Sequence, residues 1–381
     1  MSSLASGLQK FGCHRSISPK FSFPQGAEVV NPESILMSDD EGLVEVTEIL
    51  LDSTSMQHYR KMSNTMTGTS SELQTIIENV IRTRGKCHNP YTNSGGVLIG
   101  HMKKKGSGFD KGTNRNVAIG DLVSPTASVS AIPLSIKHIT NIEGNRVFVK
   151  GGIAVVFSCM ELVSIPSDLG KDLALVAIDI SSLVPQVRRT MHDIVKKNMA
   201  DGIHSARVLV IGCGVAGLAA LHTVSEVVNE MHALQNSLPS ENPNHFDHNP
   251  FILESFALDY SHANVAKIRD LGFDEELFKL QQGDVKDTAM LHDMVGETCD
   301  LVINVVNAPD TETATVYCCK PSGTVFWFSM GSRFDKAALA TDALGKDVKM
   351  IIGNGIADKQ IEQSFELVRK YPKLREYYSS H

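Results

Sequence analysis

Residues 207–228 read RVLVIGCGVAGLAALHTVSEVV, and this run limits what the chain can fold into more than any other. The strand-like RVLVI passes at once into Gly212, Gly214 and Gly217 in a G-x-G-x-x-G spacing, and then into an amphipathic helical pattern. A strand that enters a glycine turn and opens a helix begins a βαβ unit, whose next strand runs parallel to the first. Gly212 allows the tight turn, Gly214 lets a pyrophosphate approach the backbone, and Gly217 lets helix and strand close on each other. The helix N-terminus then supplies unpaired N–H groups and a dipole that favours phosphate. Cys213, Val215 and Ala216 complete the expected cofactor loop. The competing reading is glycine-rich packing with no ligand.

The pattern continues downstream. FILESFALD (251–259) predicts a second strand, ANVAKIRDLG (263–272) a helix stopped by Gly272, and LFKL (277–280) a short third strand. DLVINVV (300–306) is apolar enough to be buried on both faces, and GTVFWFS (323–329) and VKMIIG (348–353) follow, separated by the helical AALATDAL (337–344). Alternating strands and helices predict a doubly wound parallel sheet. Ligands of such sheets bind at the carboxyl ends of the strands. That places Asp259, Asn307, Ser329 and Met330 beside the cofactor. The Asp259 carboxylate can accept the ribose hydroxyls of NAD and would repel the extra phosphate of NADP; capping of the next helix is its alternative role. The segment 229–250, rich in Asn, Pro and His, reads as an exposed insertion, where His245 and His248 form a weak metal-binding candidate.

The first half has another texture. LVEVTEIL, GGVLIGHM, NVAIGDLVS, RVFVKGGIAVVF and ELVSIP are short strands set apart by glycine and polar turns, with one clear helix near ELQTIIENVIR. An irregular, mainly antiparallel β domain is predicted. LGKDLALVAIDISSLVPQVRRTMHDIV (169–195) is helical in period and bridges the halves, with a bend or break expected at Pro185. The expected division is 1–185 for a catalytic domain, 186–345 for a cofactor domain, and 346–381 for a return to the catalytic domain.

A length of 381 residues suits two domains, and a net charge of −7 argues against a nucleic-acid surface. Lys103, Lys104 and Lys105 form the tightest basic run, read as a solvated turn. No apolar run approaches the roughly 20 residues of a membrane helix. The seven cysteines form no C-x-x-C, which predicts reduced thiols, a cytoplasmic setting and no structural zinc. The Ser-rich N-terminus, free of acidic residues, leaves an organelle signal open.

The most polar stretch is RGKCHNPYTNSGGVLIG (84–100). Together with VAIGDLV and ELVSIPSDLGKDLALVAID it resembles the medium-chain dehydrogenase/reductase superfamily. A closer resemblance, to the L-erythro-3,5-diaminohexanoate dehydrogenase family, runs through GCHR, GDLVSPTASVSAIPLSIKHI, INVVNAPDTE, GTVFWFSMGSRFDKAAL and GKDVKMIIGNG. It implies a Rossmann domain inserted into a GroES-like β domain, and NAD-linked oxidative deamination of a small diamino acid in lysine degradation. It also implies a homodimer, with GTVFWFS near the sheet edge. Val215 and Ala216 depart from the glycine and lysine that the family leads one to expect. Where zinc relatives carry G-H-E, this chain has SGGVLIG, so a metal-free site is implied; Cys87 with His88 is the nearest approach to a ligand pair.

The implied chemistry needs a base, a cation for the substrate carboxylate and acceptors for its ammonium groups. His88 is the first candidate for the base, with a structural histidine as the equal alternative; Lys86 and Asn89 are further catalytic candidates. Arg84, Asn93, Ser94, His14, Arg15 and Asp52 are the candidates for substrate binding, each with a surface or structural alternative. Two other functions remain open: a zinc-free NADPH-dependent quinone or enoyl reductase, and a nucleotide-binding protein without turnover.

Overall fold

Two chain segments bury different kinds of sheet, and the protein divides between them into the units Met1–Lys171 and Asp172–His381. The computed structural model describes residues 7–64, 70–89, 95–111, 116–237, 250–273, 277–329, 331–353 and 355–380.

In the first unit, β1 (Ser16–Ser18) and β2 (Val29–Val30) form a short antiparallel pair. β3 (Glu41–Leu50) leads into helices α1 (Ser53–Met62) and α2 (Ser71–Arg84), then β4 (Val97–Lys105), β5 (Leu122–Pro125), β6 (Leu134–Ser135), β7 (His138–Glu143), β8 (Arg146–Phe157) and β9 (Leu162–Ser164). The sheet is antiparallel in the order β6-β8-β3-β4-β5-β9, with β7 on β8. β3 lies at its centre, Val44 opposite Ala154 on one side and Met102 on the other, so most of its side chains are buried. Helix α2 adds Leu73, Ile77 and Ile81, spaced by four residues on one face, to this core. Ser70 caps it by accepting from Leu73 N–H, and Gly85 at φ 70° ends it.

Two expectations change here. Lys103–Lys105 end strand β4, with Lys103 paired to Glu45 at 2.8 Å and Lys105 to Asp110 at 2.8 Å. A charged strand end, with Lys103 and Lys105 paired to carboxylates, replaces the expected turn. Helix α1 was not anticipated, because its sequence STSMQHYRKM is polar on most positions and buries only Ser55, Met56, Tyr59 and Arg60.

The second unit opens with α3 (Gly170–Asp179, whose first residues precede the boundary) and α4 (Leu183–Ala200). The expected break falls at residues 180–182; Pro185 sits in the first turn of α4, where its missing N–H costs nothing. β10 (Ser205–Ile211), α5 (Val215–Ser237), β11 (Ile252–Asp259), α6 (His262–Asp270), β12 (Lys279–Gln282), α7 (Thr288–Met294), β13 (Cys299–Asn304), α8 (Glu312–Cys318), β14 (Cys319–Trp327), α9 (Phe334–Leu344), β15 (Lys349–Ile352), α10 (Gln360–Lys370) and α11 (Pro372–Ser379) follow. The strands form a fully parallel sheet in the order β12-β11-β10-β13-β14-β15, the doubly wound order with its reversal between β10 and β13. The α/β class with one antiparallel and one parallel sheet is as expected.

The expected insertion changes at its start: residues 229–237 continue helix α5, while most of the remainder, with His245 and His248, lies outside the described residues. The C-terminal segment also differs from expectation. β15 extends the parallel sheet, α10 packs on α4 and α5, and α11 packs on α5, so residues 346–381 belong with the second unit. Glu226 of α5 explains the attachment: it accepts from Lys370 Nζ at 2.6 Å, from the Tyr371 hydroxyl at 3.1 Å and from Arg188. No helix among the described residues is long and apolar enough to cross a membrane.

Candidate functional site

The glycine loop leaves β10 at Ile211 and enters α5 at Val215. Gly212 has φ 95°, and a Cβ there would meet Val306 at 2.7 Å. At Gly217 a Cβ would lie 1.8 Å from the Gly212 carbonyl oxygen, so helix and turn touch backbone to backbone. Gly214 is the reverse: nothing stands within 4 Å of the Cβ it lacks. That open space adjoins the first turn of α5, where the N–H groups of Val215, Ala216 and Gly217 have no carbonyl earlier in the helix to bond. The residues present fit a pyrophosphate.

Asp259 ends β11 beside this loop. One carboxylate oxygen accepts from Cys213 N–H at 2.8 Å and Asn264 Nδ2 at 2.8 Å; the other accepts from Ser261 N–H at 2.8 Å. The helix-capping oxygen at α6 belongs to Ser261, which accepts from Asn264 N–H. The carboxylate is thus held at the loop, its second oxygen still able to accept from a hydroxyl. The Cys213 thiol is fully buried, and desolvation, with the Asp259 charge, holds its pKa well above the usual range. Cys213 enters the loop through its backbone.

Between the ends of β10, β11 and β13 lies a cavity of about 360 Å³, with Ile211, Leu258, Tyr260, Val285, Lys286 and Val306 in its wall. Its size and apolar lining suit a planar base, at the switch point where such sheets bind nucleotides. Tyr260, 76% exposed, and Lys286 were missed in the sequence. Tyr260 carried a signal in following Asp259 directly; Lys286, in a turn remote in sequence, carried none.

Asn307 and Ser329 meet just beyond the carboxyl ends of β13 and β14. The single Ser329 hydroxyl proton is shared between Val306 O at 2.7 Å and Asn307 Oδ1 at 2.8 Å, and Gly331 N–H donates to both side chains. Met330 lies outside the described residues.

In the first unit the polar stretch resolves into separate clusters. Arg15 is fully buried and spends all five N–H donors. Nε and Nη2 hold Glu41 at 2.7 and 2.8 Å, Nη1 donates to the carbonyls of Asn31 and Glu33, and Nη2 to that of Ile35. Nothing is left for a substrate carboxylate, so the substrate-binding expectation for Arg15 is corrected to a structural one. His14 joins it, its Nε2 2.6 Å from Glu41 Oε1. Burial works against the Glu41 charge, but hydrogen bonds from Arg15, His14 and Met37 N–H overcome it and bring the pKa down to about 2.

Lys86 is buried, and Nζ donates to the carbonyls of Pro24 at 2.5 Å and Gln25 at 3.2 Å. Burial, helped by the Arg84 charge, lowers its pKa to about 8. Asn89 is buried on the opposite flank, Nδ2 donating to Ser55 Oγ at 3.3 Å. Ser55 in turn donates from its hydroxyl and its N–H to Asp52, both at 2.8 Å, which makes Asp52 the cap of α1. His88 lies between these two anchored neighbours and is itself 6% exposed. The Cys87 thiol adjoins the Tyr59 hydroxyl, and desolvation pushes it up to about 12, as expected of a buried inert thiol. Arg84, the last residue of α2, is half-buried. Asn93 and Ser94 lie outside the described residues.

The glycine pair has a packing explanation. A Cβ on Gly96, at φ 95°, would stand 2.0 Å from the Leu50 carbonyl oxygen, and one on Gly95 2.7 Å from that of Cys87. The strand β4 enters too close to the end of β3 for any side chain.

A family profile described as the L-erythro-3,5-diaminohexanoate dehydrogenase N-terminal domain matches residues 14–166. An L-erythro-3,5-diaminohexanoate dehydrogenase of Acetoanaerobium sticklandii is 28% identical over 372 residues, 96% of each chain. One of Fusobacterium nucleatum subsp. nucleatum is 28% identical over 377 residues, 97% of each chain. Among solved structures, the alcohol dehydrogenase of the archaeon Aeropyrum pernix is 12% identical, covering 89% of this chain and 84% of that one, with a TM-score of 0.48. The resemblance drawn from the motifs is borne out, and the chain is a homologue of dehydrogenases along nearly its whole length.

Proposed function

We propose that the protein catalyses NAD-dependent oxidative deamination of carbon 3 of L-erythro-3,5-diaminohexanoate, giving 5-amino-3-oxohexanoate, ammonium and NADH, in lysine degradation. The observation that carries this reading is the match, over 96% and 97% of the chain, to two L-erythro-3,5-diaminohexanoate dehydrogenases. The fit of the glycine loop, Asp259 and the adjoining cavity to a dinucleotide supports it.

When bound, the nicotinamide supplies the acceptor for the hydride of the C3–H bond. The chain must do the rest. A substrate ammonium keeps its proton to about pH 10, so a positioned base must take it before the C–H electrons can leave, a contribution of typically 10²–10⁴-fold. Water then provides the ketone oxygen, and nitrogen leaves as ammonium. Per turnover, substrate, NAD⁺ and water become the oxo acid, ammonium, NADH and one proton.

His88 is the base in this account. Lys86 and Asn89 are positioning residues: one ties the segment to residues 24–25, the other ties it to Ser55, and His88 is held between them. Arg84 takes the substrate carboxylate, and Asn93 and Ser94 accept from its ammonium groups. The choice of NAD over NADP rests on Asp259, where a negative carboxylate would face a 2′-phosphate. The first unit carries the substrate groups and the second the cofactor groups. The functional form is a homodimer in a reducing, cytoplasmic compartment, a setting that suits the free cysteines.

Purified protein supplied with NAD⁺ and 3,5-diaminohexanoate should produce NADH; absence of NADH at saturating substrate rejects the reading. His88→Gln should lower kcat by about 10²-fold or more while leaving NAD⁺ affinity within about twofold. Full activity of that variant at neutral pH would remove His88 from the base role.

A further inference from the structure

We propose that the last helix of the chain positions the dinucleotide-binding loop through two buried tyrosines, Tyr377 and Tyr378, an inference that rests on the nucleotide reading of the glycine crevice. Both belong to α11 and are 0% and 1% exposed. The Tyr378 hydroxyl donates to the carbonyl of Val215 at 2.8 Å. Val215 is the first residue of α5, so this bond grips the turn whose N–H groups face the phosphate space beside Gly214.

Tyr377 acts one step further away. Its hydroxyl donates to Asn264 Oδ1 at 2.5 Å. The amide nitrogen of Asn264 spends both hydrogens on loop and carboxylate, donating to Cys213 O at 3.2 Å and to Asp259 Oδ2 at 2.8 Å. An amide has one accepting and one donating end, so a donor at Oδ1 selects the orientation in which Nδ2 faces Asp259. Tyr377 therefore sets the Asn264 amide, which sets the carboxylate that meets the ribose. Burial and the nearby Asp259 charge raise the Tyr377 pKa to about 12, which keeps the hydroxyl a donor at any working pH. The helix is fixed at its near end by the contacts of Lys370 and Tyr371 with Glu226. Four side chains of the C-terminal segment thus bear on α5 and the loop it opens from: Lys370 and Tyr371 at Glu226, Tyr378 at Val215, and Tyr377 through Asn264.

Packing alone is the competing explanation, since a buried tyrosine needs some partner for its hydroxyl. The two separate by experiment. Tyr377→Phe and Tyr378→Phe keep the ring and remove only the bond. Each should raise the calorimetric Kd for NAD⁺ about fivefold, the loss of one hydrogen bond of ordinary net worth, and KM for NAD⁺ should rise more than kcat falls. Leu374→Ala, buried on the same helix, is the control: it should lower the melting temperature of the cofactor-free protein without a comparable change in Kd. Unchanged Kd in both tyrosine variants, with wild type binding NAD⁺, overturns the inference and leaves the nucleotide reading standing. A wild-type protein that binds neither NAD⁺ nor NADP⁺ overturns both.

Discussion

Two carboxylates, Glu41 and Asp259, contrast a residue that holds the fold with one proposed to meet a ligand. Glu41 is buried with Arg15, and its folded pKa of about 2 lies below the ordinary 4.5. The stabilisation is therefore complete above pH 4.5 and is lost as pH falls toward 2. By linkage it is worth about 3 kcal/mol. Glu41→Gln leaves a buried guanidinium short of its counter-charge and should cost about 3–5 kcal/mol; urea unfolding at pH 7 and pH 3.5 checks this, the variant showing a weaker acid dependence than wild type. Asp259 is proposed to meet a ligand instead. Asp259→Asn can still accept from Cys213 N–H but carries no charge, so the proposed preference for NAD⁺ over NADP⁺ should narrow by about tenfold, read from the two Kd values. An unchanged ratio would remove Asp259 from the discrimination.

Among the elements, helix α1 separates what a sequence discloses from what it hides. Its apolar content is too low for a periodic pattern, yet Asp52 and Ser55 at its start form a capping pair that a search for caps would have found. The parallel strands were legible because burial on both faces demands apolar runs, as in CDLVIN of β13. β12 was not placed well: its KLQQ is mostly exposed, and the predicted LFKL lies two residues early. The polar clusters were beyond reach for another reason. Arg15 meets Glu41 across 26 residues and Lys86 meets Pro24 across 62, so which of several cations faces which acceptor depends on the folded sheet and not on local spacing. The glycine loop, by contrast, is local, and its turn and helix start were readable at once. Asp52 also offers a test at this scale. If it serves as a cap alone, Asp52→Ala should lower stability by about 1 kcal/mol and leave KM for the diamino acid unchanged; a raised KM with unchanged melting would return Asp52 to the substrate.

The whole molecule comprises two units, proposed to carry the substrate and the cofactor groups, and its proposed dimer can be approached through an edge of the parallel sheet. That edge is β15, one strand beyond β14, and Ile352 on it is 53% exposed. An apolar residue on an open strand favours pairing with a second strand, and a charge there opposes it. Sedimentation should find a dimer, and Ile352→Lys should shift it toward monomer; a wild-type monomer at micromolar concentration would reject this assembly.

The proposed reaction removes an amino group while reducing a nicotinamide. The most direct measurement follows ammonium and NADH together during consumption of L-erythro-3,5-diaminohexanoate by the purified protein. Equal amounts of ammonium and NADH, one of each per substrate consumed, are predicted. NADH without ammonium, or neither product at saturating substrate and NAD⁺, would contradict the account.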